Sequence, residues 1–245
     1  MPLLDDLLSS LQGDARVRDV RCCIFWTAVA SRHCGLAATV RGEFKHGDQP
    51  VAAPEAIVSS SARELAARAA SPSLVEASIG VAALNSLLEP SESRLDLNAV
   101  DVVMAQAPFR PIAVVGHFPF VAKAREKARQ LWVLEQHPLP GDLPDTAAQE
   151  VIPRAEIVVI TGSALINHTL EGLLRLCRRS AYVMVVGPST PLSPVLFDYG
   201  VDLAGGAIVE DEERVLKQVS AGAVLHQIEP LRRVSIMRRP PPPLP

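Results

Sequence analysis

The chain is poor in aromatic residues and nearly balanced in charge. Phe, Trp and Tyr make up 4% of its 245 residues, so the core must be built mainly of Ala, Val, Leu and Ile, which the 48% apolar content supplies. A formal charge of −3 excludes the strongly basic surface that nucleic acid or an anionic membrane attracts, and no basic patch with interleaved aromatics occurs. No apolar run approaches the roughly 20 residues a membrane-spanning helix needs. The opening MPLLDDLLSSLQGD is acidic and lacks a cleavage pattern, so a soluble cytoplasmic protein is expected. The cysteines are Cys22, Cys23, Cys34 and Cys177; none forms a C-x-x-C pair, and reduced core thiols are expected.

Three chemical signatures are also missing. The first turn of the later half, VVGHFPFV, has one glycine where G-x-G-x-x-G needs three, with Pro119 and Phe120 where a pyrophosphate would approach. That removes the NAD fingerprint. There is no G-x-x-x-x-G-K-[ST] phosphate loop, and Ser163 lacks the G-x-S-x-G elbow of a nucleophilic serine. No cofactor follows from these motifs, and a divalent metal is the one left open.

What is present divides at about residue 108. Before it, residues 3–11 read as a short helix, and VRDVRCCIFWTAVAS (Val17–Ser31) alternates as one strand of period two. LAATV follows across a bend at His33–Gly35. Helices are expected near Ser61–Ala70 and in SPSLVEASIGVAALNSLLEP, where Pro90 ends the run. After Pro108 the chain alternates strand and helix, with strands near 112–116, 131–135, 156–160, 182–187 and 206–209. Several of these are continuous apolar runs, as in strands covered on both faces. The pattern predicts α/β architecture: a small N-terminal α+β domain (1–107), then a doubly wound, Rossmann-like parallel sheet (108–230). The remainder, 231–245, ends in RRPPPPLP and is expected to be a disordered, polyproline tail.

Open parallel sheets bind ligands at the carboxyl ends of their strands, beside the point where strand order reverses. The first strand ends in Gly116, His117, Phe118 and the second in Glu135, with Asp142 beyond it. The third ends in Thr161, Gly162, Ser163, leading to Asn167, His168, Thr169, and the fourth in Gly187, Pro188, Ser189, Thr190. His168 is expected in or near the first turn of the helix that buries Ile166, Leu170 and Leu174, where free N–H groups and the helix dipole favour an anion. Glu135 lies 19 residues after Gly116, the place of a carboxylate that binds ribose hydroxyls. His117 and His168 are the candidate metal ligands, and they approach each other only if the first and third strands are neighbours. Caps and turn-forming hydrogen bonds are the competing explanation for all these polar residues.

The stretches VVGHFPFV, LEQHPLPGDLPDTAAQEVIPRAEIVVITGSALINHTLEGLL and VVGPSTPLSPVLFDYGVDLAGG resemble a prokaryotic family of largely unknown function, named for a proposed role in heavy-metal chelation. EASIGVAALNSLL resembles the small domain that usually precedes it, and the likeness spans most of residues 10–222. It implies an enolase-N-terminal-like domain before a Rossmann-like one, a pocket near their junction, and metal or small-molecule binding. It points to the same strand-end residues. The expected function is therefore binding of a small anionic or metal-chelating metabolite, in a homodimer by default. The alternative is an enzyme, a transferase or lyase acting on a nucleoside-bearing or tetrapyrrole-like metabolite, with His117 or His168 as general base.

Overall fold

The computed structural model describes residues 2–43, 45–89 and 94–245. Its first part holds α1 (Pro2–Ser9), the strands β1 (Asp19–Cys22), β2 (Trp26–Ala30) and β3 (Cys34–Ala38), and helices α2 (Pro54–Ile57), α3 (Ala62–Ala67) and α4 (Leu74–Leu87). The three strands form an antiparallel sheet in the order β1-β2-β3. The single strand expected over Val17–Ser31 is instead a hairpin, because the chain reverses at Cys23–Phe25, where Cys23 N–H donates to Trp26 O. Ile24 and Phe25 are apolar yet exposed at the reversal, and no Gly or Pro marks it, so the period-two alternation runs on through the turn.

α4 is buried nearly all round, from Val75 to Leu87, as a helix apolar on every face must be. Pro90, expected to end it, lies outside the described residues. α3 begins at a capping box: Ser61 Oγ accepts from Glu64 N, and the Glu64 carboxylate accepts from Ser61 N.

The second part holds α5 (Ala99–Gln106), β4 (Pro111–Val115), α6 (Val121–Lys127), β5 (Gln130–Glu135), β6 (Leu143–Pro144), α7 (Ala148–Val151), β7 (Ile157–Thr161), α8 (Leu170–Leu176), β8 (Tyr182–Val186), α9 (Val195–Asp198), β9 (Leu203–Val209), α10 (Glu212–Ser220) and β10 (Leu231–Met237). Seven strands form one sheet in the order β10-β9-β8-β7-β4-β5-β6, parallel except for β10. Counting the two-residue β6 as third strand makes this the Rossmann order, with the reversal between β4 and β7. β6 is too short to read from sequence. Its presence explains why the strand taken as third, β7, lies beside the first.

One apolar cluster joins the halves, running from Leu3 and Leu7 through Ala83 and Leu84 to Ile160, Leu165 and Leu196. A second covers the other face of the large sheet. There α5 contributes Ala99, Val102 and Val103, packed with Tyr182, Met184 and Leu203. α5 thus packs on the large sheet although it precedes residue 108. Among the described residues no helix is long and apolar enough to cross a membrane.

The expected disordered tail is corrected over its first part. Residues 231–237 are β10, paired along its whole length with β9. Beyond it, Arg238 and Arg239 close on Asp202, whose side chain is fully buried. Arg238 Nη2 lies 2.6 Å from Asp202 Oδ1, Arg239 Nε 2.8 Å from the same oxygen, and Arg239 Nη2 2.9 Å from Oδ2. Val183 N–H donates to Oδ2 at 2.9 Å. Even the proline run is tied down, since Gln106 Nε2 donates to Pro242 O and Arg110 Nη2 to Pro243 O. Composition suggested disorder; the buried carboxylate, far off in sequence, supplies the anchor.

Burial pushes the Asp202 carboxyl up, but hydrogen bonds from Arg239, Arg238 and Val183 N outweigh it and hold its pKa below 3.8. A depressed carboxyl contributes stability above its unfolded value and loses it as pH falls through the folded one. Asp202→Asn is therefore expected to lower unfolding stability by about 1–2 kcal/mol in urea titrations at neutral pH, since the two guanidinium groups it leaves without an anion are half-exposed and stay solvated. The deficit is full above about pH 4 and shrinks below it. Truncation after Met237 should cost more, about 3 kcal/mol, because it leaves the buried carboxylate without either arginine.

Candidate functional site

Because β5, β4, β7 and β8 are parallel neighbours, the tips after them lie along one edge of the sheet. The contacts there are close. Gly116 has φ +103°, and a Cβ on it would stand 2.9 Å from Thr161 Cγ2. A Cβ on Gly162 would lie 2.6 Å from both Thr190 N and Thr190 Oγ1. The Gly116, Thr161–Gly162 and Ser189–Thr190 tips therefore pack against one another. The N-terminal part closes on them: Ala38 N–H donates to Ser189 Oγ at 2.8 Å, and Asn85 Nδ2 donates to Pro188 O at 3.3 Å.

The residues singled out along this edge separate into four groups. The first is polar and sits after β4 and β5. His117 N–H donates to Glu135 Oε1 at 2.8 Å, and Gln136 N–H donates to Oε2 at 2.9 Å. Glu135 thus shapes the turn, while the lone pairs its carboxylate keeps leave it able to accept from a ligand hydroxyl. His117 Nδ1 lies 3.0 Å from Asp142 Oδ2, and the exposed imidazole stands on a carboxylate whose side chain is wholly buried. Arg125 Nη2 bonds the other oxygen, and Leu139 N–H adds a third donor.

The second group is a local turn. Thr161 Oγ1 accepts from Ser163 N–H at 3.4 Å and meets Ser163 Oγ at 2.9 Å. Asn167 Oδ1 accepts from Thr169 Oγ1 at 2.7 Å and from Thr169 N–H at 3.3 Å. That side-chain turn competes with the helix, so a 3₁₀ turn over Gly162–Leu165 ends and α8 starts only at Leu170. His168 therefore lies two residues before α8, near its first turn rather than in it. It has φ +61°, in the left-handed region between the two pieces, and its Nε2 donates to Ser71 O at 3.0 Å. Part of the polar richness of TGSALINHT is turn chemistry and docking on the N-terminal part.

The third group lines an apolar cavity of about 230 Å³ between the end of β8, the middle of β9, β10 and α5. Phe118 and Phe120 form one wall, their ring centroids 5.2 Å apart and their planes 24° from parallel. Gly187 and Pro188 edge it, Gly205 and Gly206 expose backbone, and Arg233 brings a cation. Phe120, Gly205, Gly206 and Arg233 escaped sequence reasoning. Gly205 and Gly206 lie within a strand, and Arg233 lies in the tail taken as disordered; a paired glycine inside a strand was the one usable signal. The fourth group is Ser189 and Thr190, both buried and turned to the N-terminal side of the same loop.

These placements bear on metal ligation. His117 and His168 belong to different groups and do not form a pair, although each keeps one ring nitrogen outside the bonds described. Asp142 is neutralised by Arg125. Burial pushes the Cys34 and Cys177 thiols up to about 12, far from the thiolate a soft metal binds. Among the described residues no three His, Cys, Asp or Glu side chains group as a metal site. Among the described residues the donors therefore do not assemble a site for a directly ligated metal ion.

Comparison with known proteins accords with the architecture. Residues 4–88 match the family DUF4213 and residues 98–238 the family DUF364, both described as "Putative heavy-metal chelation". An uncharacterized protein of Methanocaldococcus jannaschii is 24% identical over 225 residues, covering 86% of this chain and 85% of that protein. A crystal structure of a DUF364 protein of unknown function from Desulfitobacterium hafniense superposes with a TM-score of 0.84 at 26% identity, covering 97% of this chain and 98% of that one. A second DUF364 structure, from Pyrococcus horikoshii, gives 0.80 at 20% identity over 96% and 98%, and so speaks for the fold. By the match over residues 98–238, more than half its length, the chain belongs to the DUF364 family.

Proposed function

We propose that the chain binds a small organic metabolite with one anionic end, free or already carrying a metal, in the apolar cavity between α5, the tip after β4 and strands β8, β9 and β10. The observation behind this reading is the cavity itself, about 230 Å³, with an aromatic wall, bare glycine backbone and one cation. An apolar pocket with a few convergent polar groups is what a flat metabolite needs. The body of the ligand stacks on Phe118 and its anionic end meets the Arg233 guanidinium. Any link to heavy metals runs through the chelator on this reading, because no three His, Cys, Asp or Glu side chains among the described residues group around a metal.

The His117–Asp142 pair favours a second reading. An ionised Asp142 accepting from Nδ1–H leaves Nε2 as a proton acceptor facing solvent, the arrangement of a general base. A lyase or transferase would place its substrate's acidic proton there. His117→Gln would then abolish turnover of a nucleoside-bearing or tetrapyrrole-like substrate and leave cavity binding intact; unchanged turnover removes this reading.

The binding proposal is tested with 1-naphthoate as a planar anionic probe in isothermal titration calorimetry. Phe118→Ala and Arg233→Gln are each expected to weaken it about tenfold, the loss of one stacking contact or one charge-assisted hydrogen bond. Neutral naphthalene methanol should be insensitive to Arg233→Gln. Equal affinity in wild type and both variants defeats the proposal. A companion measurement addresses the metal: zinc content by elemental analysis, after equilibration and desalting, should be the same in wild type and in His117→Ala/His168→Ala.

A further inference from the structure

Two accessible donors line the apolar cavity from neighbouring segments, Arg233 of β10 and Asn98 at the start of α5. Leu95 and Ser235 form an antiparallel bridge, and Ser235 Oγ donates to Leu97 O at 2.8 Å, so the chain entering α5 runs beside β10. Going from Leu95 toward Asn98 follows β10 back from Ser235 toward Arg233, which shares the face of Ser235 about 7 Å along the strand. Arg232, on the other face, is paired with Asp96 and Glu210; Arg233 meets no such anion among the described residues.

Asn98 is the N-cap of α5. Its Oδ1 accepts from Val100 N–H at 3.2 Å, which fixes the amide, because a flipped one would set Nδ2 against that N–H. Nδ2 is left as a donor without a protein acceptor among the described residues, on a half-buried side chain at the cavity. Capping accounts for Oδ1 and not for Nδ2. The backbone donors nearby are spent. Asp101 N–H is bound to Asn98 O and Gly187 N–H to Gly205 O, while Gly205 is paired with both β8 and β10. The cluster of free N–H groups that a phosphate takes is therefore missing. Asp101 in the first turn of α5, and Asp96 before it, add negative charge at this end, which disfavours a second charge on the ligand. One guanidinium and one amide N–H remain, a set that matches the two oxygens of a carboxylate.

Resting on the cavity reading above, we propose that Asn98 determines the specificity of this site. The ligand is a monocarboxylate, with one oxygen on the Arg233 guanidinium and the other on Asn98 Nδ2, and phosphate esters are refused.

The test compares 1-naphthoate, 1-naphthyl phosphate and neutral naphthalene methanol by calorimetry on the full chain. The carboxylate is expected to bind about tenfold more tightly than the phosphate. Asn98→Ser and Asn98→Asp both keep a capping oxygen, so the melting temperature should hold. Asn98→Ser should weaken naphthoate about tenfold, the loss of one charge-assisted hydrogen bond, and Asn98→Asp should weaken it further, because a second carboxylate then faces the ligand's own. Naphthalene methanol should bind all three chains alike. If Phe118→Ala and Arg233→Gln weaken naphthoate but the Asn98 variants do not, or if the phosphate binds as well as the carboxylate, the assignment is overturned and the cavity reading stands. Equal losses for naphthoate and the neutral alcohol in Asn98→Ser also overturn it, since they mark a cap that only shapes the cavity. Naphthoate binding indifferent to Phe118→Ala and Arg233→Gln defeats the cavity reading itself, and this assignment falls with it.

Discussion

The contact between Gly162 and Thr190 decides the shape of the functional edge. There is no room for a side chain between them, since a Cβ would stand 2.6 Å from the Thr190 backbone nitrogen. The tips of β7 and β8 are therefore pressed together, and the β8 loop stands upright as a wall. Ser189 anchors that wall to the edge of β3, and Asn85 anchors it to the end of α4. An apolar space with Arg233 lies on one side of it, and a smaller junction space lined by Asn85, Glu89, Arg94 and Thr190 on the other. Interiors transmit such constraints because they are packed as densely as crystals.

The same wall ties the two parts of the chain together. The apolar cluster that begins at Leu3 continues without a break to Leu196, and the polar bonds at Ala38 and Asn85 lie over its edge. The N-terminal sheet is thus fixed in register with the strand tips, and the junction cavity exists only because both parts contribute to it. The far end of the chain reinforces this arrangement. β10 extends the sheet beside β9, and the arginines after it neutralise a carboxylate that sits under β8.

Much of the fold was legible because its periodicities are strong. The continuous apolar runs at Ile112–Val114 and Ile157–Ile160 mark strands covered on both faces, and the alternation of strand and helix after Pro108 announces a parallel sheet. Elements without a periodic signal were lost. β6 is two residues long, and the reversal at Ile24–Phe25 carries no turn residue. RRPPPPLP has the composition of a loose end, yet Asp202, Gln106 and Arg110 hold it through single long-range contacts that no local window contains. At the site, sequence found the edge but not the partition. Phe118, Gly187 and Thr190 all lie on it, but which way each faces depends on the packing of neighbouring tips. His117 and His168 looked alike as residues, and only the left-handed turn at His168 and the buried carboxylate under His117 distinguish them.

The donor chemistry also separates two meanings of metal chelation. A chain that ligates a metal directly must present deprotonated, uncommitted donors at close range. Here burial pushes the Cys34 and Cys177 thiols up to about 12, the buried Asp142 carboxylate is paired with a guanidinium, and the two candidate imidazoles stand in different groups. The proposed function asks for something else: a flat apolar space and a cation for the chelator's carboxylate, the parts that Phe118 and Arg233 contribute to the cavity. On that reading the metal's coordination shell is left to the small molecule, and the protein supplies only shape and complementary charge.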